Sequence, residues 1–83
     1  MDDAKYLAVG RILLEETKAA LPVPQTVREA RRWQAALVLK CTERARREQG
    51  ADFEEWQEAE PSPEAAAAYE RMTEELLEEG RPS

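Results

Sequence analysis

Three interruptions decide what this chain can become: Pro22-Val23-Pro24, the lone Gly50, and Pro61-Ser62-Pro63. Proline lacks a backbone N–H and clashes with the preceding helical turn, and glycine readily takes the left-handed conformation that ends helices. Each interruption therefore reads as a helix boundary or turn. Between them asparagine is absent, and alanine, glutamate, arginine and leucine predominate, most of them strong helix formers. No segment alternates apolar and polar residues as a strand would. An all-α fold follows.

Capping chemistry places the helices. Asp2 or Asp3 caps a first helix over about 3–20, its acidic charge lying at the positive end of the helix dipole. Thr26, followed three positions later by Glu29, is a capping box opening a second helix over 26–49, with Gly50 at its stop. Asp52 ahead of Glu55 repeats that pattern and predicts a short helical element over about 52–59. Ser62 and Pro63 are a favoured cap and first helical residue for a last helix over 63–79. With 83 residues there is room for one domain, residues 1–80, and 81–83 read as a frayed tail.

At 100° per residue, Tyr6, Leu7, Val9, Leu13, Leu14, Ala20 and Leu21 form one apolar stripe on the first helix. Val27, Ala30, Trp33, Leu37, Val38, Cys41 and Ala45 do so on the second. Ala65, Ala68, Tyr69, Met72 and Leu76 form the third stripe, with Leu77 at its margin. The expected architecture is a small three-helix bundle with the short fourth element across one end. Ile12 and Leu39 fall outside their stripes, and Leu39 is accompanied by Ala35 and Ala36, small enough to let another helix approach. Two large aliphatics off the core, in a chain short of core, predict a homodimer with Ile12, Ala35 and Leu39 at the shared face. Gly10 lies on the first stripe and predicts close helix packing or a groove that takes Trp33 or an outside side chain.

The net charge of −6 conceals a division. Residues 25–50 hold seven basic and three acidic residues, net +4, whereas 51–83 hold two basic and eleven acidic, net −9. The expected arrangement sets the basic rim of the second helix beside the acidic rim of the last. Arg28, Arg31, Arg32, Arg46 and Arg47 are candidates for phosphate or an acidic partner. Glu54, Glu55, Glu58, Glu74, Glu75, Glu78 and Glu79 are candidates for a basic partner, which they would bind by imitating phosphate charge. Phe53 and Trp56 share one face of the short element. They either close the open end of the bundle or act as aromatic anchors in a partner's groove.

The string Gln25-Thr26-Val27-Arg28-Glu29-Ala30 resembles the start of a recognition helix in winged helix-turn-helix repressors. The likeness covers six residues. The turn before it is Pro22-Val23-Pro24 rather than glycine-containing, and the helix it opens is about twice the usual length of such helices. What it implies is a nucleic-acid-binding regulator using the basic helix, the alternative to a protein-binding role.

Histidine is absent, which excludes histidine-based triads and His-containing metal sites. The single cysteine, Cys41, cannot form an internal disulfide or a Cys-rich metal site, and its place on a core stripe makes it a small hydrophobe. The Glu pairs lack calcium-loop spacing, and no glycine-rich loop cradles phosphate. No cofactor, no metal and no enzymatic activity are expected. The chain opens acidic where a signal peptide would be basic, and its longest apolar run, 35–39, is far too short to span a bilayer. A cytoplasmic protein is expected. Arginine outnumbers lysine nine to three, a bias that a GC-rich bacterial or phage genome produces. The leading expectation is a small acidic helical regulator, adaptor or inhibitor that acts on a partner protein.

Overall fold

The computed structural model describes residues 1–79 and is all-helical, with α1 Asp3–Ala19, α2 Val27–Gln49, α3 Phe53–Glu58 and α4 Pro63–Glu79. The expected tail at 81–83, and Gly80 before it, lie outside the described residues. Each start is made by the side chain that predicts it. Asp2 accepts from the Lys5 N–H at 2.8 Å, Thr26 from Glu29 at 3.2 Å, Asp52 from Glu55 at 2.8 Å and Ser62 from Ala65 at 3.1 Å. A cap of this kind contributes about 1 kcal/mol. Gly50 closes α2 at φ +68°, with its N–H donating to the Arg46 carbonyl at 3.1 Å. A side chain with a Cβ would be strained there.

Side-chain contacts give the helix directions. Asp3 meets Ser62, Gly10 meets Tyr69 and Lys18 meets Glu79, so α4 runs parallel to α1. The Trp33 indole N–H donates to the Ala20 carbonyl at 2.7 Å near the end of α1, while Val9 shares a buried cluster with Cys41 and Ala45. Hence α2 runs back along α1. The segment after Gly50 then carries the chain across the end where α1 begins.

The expected bundle is met in helical content but not in pairing. Helix α1 packs against both α2 and α4, yet among the described residues no Cα of α2 comes within 8 Å of a Cα of α4. The expected pairing of the basic α2 rim with the acidic α4 rim is therefore absent. Arg44 instead reaches Glu15 and Glu16 of α1, each at 3.1 Å, and Glu48 of its own helix at 2.8 Å.

This central position of α1 also corrects Ile12, which is only 4% exposed. Ile12 precedes by four residues Glu16, whose carboxylate meets Arg44 of α2, so it lies on the flank turned to α2. A helix covered on two sides buries a broader arc than one stripe. Conversely, Leu21 and Val27 are exposed although both fall on predicted stripes. Leu21 follows the end of α1 and Val27 opens α2, so neither lies where the two helices run side by side.

The core consists of Val9, Leu37, Cys41, Ala45, Ala51, Phe53 and Trp56, bordered by Tyr6, Leu13, Ala20, Trp33, Val38 and Tyr69. Trp56 is its hub. Its ring stacks on Tyr6 and Phe53 with centroids at 5.4 and 5.3 Å and meets Tyr69 at 5.5 Å, while its indole N–H donates to the Tyr6 carbonyl at 2.9 Å. One six-residue helix thereby ties α1 to α4. Gly10 lies under Tyr69, not Trp33: a Cβ at Gly10 would stand 2.7 Å from the Tyr69 ring.

Candidate interaction surface

The aromatic expectation resolves first. Phe53 and Trp56 are buried in the core, so they close the end of the molecule and are not offered to a partner. Apolar character on the surface lies elsewhere. On α2, Arg31, Gln34, Ala35, Val38 and Leu39 line one shallow, open depression, and Leu39 is 65% exposed. The helical period explains the grouping, because 31, 34, 35, 38 and 39 recur at spacings of three and four along one side of the helix. Val38 is half-buried: its inner side rests on the core and its outer side joins the depression.

The arginines around this face divide into two kinds. Arg46 lies 3.6 Å from Asp52. Arg28, Arg31, Arg32 and Arg47 are exposed and make no ion pair among the described residues. The α2 surface thus combines an exposed leucine, a small residue beside it, and free guanidinium groups.

The acidic residues do not form one surface. Glu54, Glu55 and Glu58 project from α3, whose Trp56 stacks on Tyr6 near the start of α1. Glu79 pairs with Lys18 near the end of α1, which holds its carboxyl below the usual range, and Glu74, Glu75 and Glu78 are exposed on the adjoining turns. The twelve residue steps from Tyr6 to Lys18 separate the two groups by about 18 Å at 1.5 Å per residue. Leu77, 59% exposed, stands among the second group. Sequence reasoning left Leu77 at a stripe margin and put Val38 wholly in the core. The missing signal was that α4 and α2 each touch a single long neighbour.

Cys41 lies in the core and Tyr69 packs against it. Burial pushes the Cys41 thiol above its ordinary value, with Glu16 adding to the shift and Arg44 opposing it. Such a thiol resists ionisation and reaction. Burial likewise raises the Tyr69 phenol. The groove between α1 and α4 is lined by Arg11, Lys18, Glu15, Glu75, Met72 and Leu76, with charges of both signs on its walls. Among the described residues no cluster of acidic or cysteine side chains is placed to hold a metal ion, and no helix is long and apolar enough to cross a membrane. Compared with protein-family models, with curated proteins and with solved structures, the chain matches none.

Proposed function

We propose that this chain is a non-enzymatic interaction protein, a cytoplasmic regulator, adaptor or inhibitor that works by docking the outward face of α2 on another protein. The observation that carries the reading is Leu39, 65% exposed at the middle of a helix and flanked by Ala35, Val38 and the unpaired Arg31. A large aliphatic group with an unpaired arginine beside it suits a desolvated contact centre with a charged neighbour that favours an acidic partner. Capture from a lysate of the source cell, with wild type and Leu39→Glu side by side, tests it. A partner protein retained by the wild type and lost with Leu39→Glu is the expected result, and equal retention by both contradicts the reading.

The exposed, unpaired Arg28, Arg31 and Arg32 support a second reading, nucleic-acid binding through the same helix. A gel shift with random duplex at low salt decides between them. No shift at micromolar protein removes it.

A further inference from the structure

The uncovered side of α2 has a counterpart in the same chain. Helix α2 carries seven basic and three acidic residues, net +4, and α4 carries six acidic and one basic, net −5. Within one molecule these opposite charges never meet, because α1 lies between the two helices. Their outward faces nevertheless correspond. On α2, Ala35, Val38 and Leu39 line one depression with Arg31; on α4, the half-buried Ala66 and the exposed Ala67 lie one turn before Glu70, and Leu77 lies one turn beyond Glu74. Between the α2-facing and α4-facing flanks of α1 lie Tyr6, Leu13 and Thr17. Trp56 covers Tyr6, while Leu13 and Thr17, nearer the other end, remain only partly buried.

We infer that the occupant of this face is a second copy of the chain, with α2 of each copy lying along α4 of the other. This rests on the reading of α2 as a docking surface and names its partner. A two-fold axis makes the contact twice, α2 to α4 and α4 to α2, as an isologous interface requires. Pairing of α2 with α2 is disfavoured, since it sets two helices of net +4 together. Each half of the interface then lays the arginine-bearing side of α2 along the glutamate-bearing side of α4, and the opposite charges fix which helix meets which.

The test uses the full chain and two charge reversals at exposed positions, Arg31→Glu on α2 and Glu74→Arg on α4. Sedimentation velocity from about 1 µM to about 500 µM reads the dimer dissociation constant, and circular dichroism verifies that each variant remains helical. The wild type is expected to dimerise, and each variant alone to dimerise roughly tenfold or more weakly, because each sets like charges against one another in both halves. An equimolar mixture of the two is expected to recover the wild-type constant. In the mixed dimer the glutamate introduced at position 31 faces the arginine introduced at position 74, while native Arg31 faces native Glu74. A wild type that stays monomeric throughout, or a mixture no tighter than the separate variants, overturns the inference. The lysate capture is independent of this outcome. A monomer that still loses a partner protein with Leu39→Glu removes the second copy as occupant and leaves the docking surface standing.

Discussion

The two ends of this molecule treat similar side chains in opposite ways. Where α1 begins, α3 lies across the helices, and Phe53, Trp56, Tyr6 and Tyr69 form a continuous aromatic cluster with every ring centroid within about 6 Å of a neighbour. Where α1 ends, no such element lies between α2 and α4 among the described residues, and Leu21, Val23, Val27 and Leu77 stand exposed. The difference teaches that the placement of one six-residue connector, and not the hydrophobicity of the residues alone, decides which end is closed. The closed end carries the aromatic packing, and the open end keeps apolar side chains exposed.

The sharpest way to break that division is to remove the hub of the closed end. Trp56→Ala deletes a buried ring, two stacks and a hydrogen bond, and should cost about 3–5 kcal/mol, a large share of the stability of a domain this small. Chemical denaturation monitored by circular dichroism reads it. A loss under about 1 kcal/mol would show that α3 is not what holds α1 to α4.

Next in size is Gly10→Ala, which forces a methyl group against a Tyr69 ring already packed between Tyr6 and Trp56. A loss of about 1–3 kcal/mol is expected from overpacking. In a Tyr69→Ala background the sign should reverse, because alanine is the better helix former by up to about 1 kcal/mol once the space is free. Thermal unfolding of the four proteins of this cycle checks it.

The closed end should also respond to alkali. Cys41 and Tyr69 are both raised by burial. A group whose pKa is higher folded than unfolded contributes stability that is complete below its unfolded value and lost as pH rises through its folded value. Stability should therefore decline once pH passes the ordinary thiol range. Cys41 should react with a thiol reagent only after denaturation, and rapid reaction in the native protein would contradict its burial.

At the exposed leucines the expected change in stability is the smallest. Leu39→Ser and Leu77→Ser should each shift stability by no more than about 0.5 kcal/mol, as substitutions at exposed positions do. Both should nevertheless weaken association. A loss above about 2 kcal/mol at either would mean that the leucine is part of the core.

The boundaries of all four helices were legible in the sequence because they depend on local chemistry. Thr26, Asp52 and Ser62 each cap a helix through a backbone N–H three residues ahead, and Gly50 ends one through its own φ. Leu39 was legible for a related reason: a helical period alone places it opposite Leu37 and Cys41. Ile12 was not, since a single-stripe reading assumes a helix with one neighbour. Arg44 looked like one arginine among seven basic residues of α2, and only the approach of α1 makes it the pin between Glu15 and Glu16.

By itself, then, the sequence determined helix content, the start and stop of each helix, the division of charge and the absence of histidine chemistry. These depend on residues within about one helical turn of one another, or on composition. The tertiary structure decided which helices touch. Setting α1 between α2 and α4 buried Ile12, laid Tyr69 over Gly10, and kept a helix of net +4 apart from one of net −5. The physical reason is that pairing minimises exposed apolar area over the whole chain. The short α3, carrying Phe53 and Trp56, fills the space between α1, α2 and α4 at one end and leaves none of its apolar surface for the other.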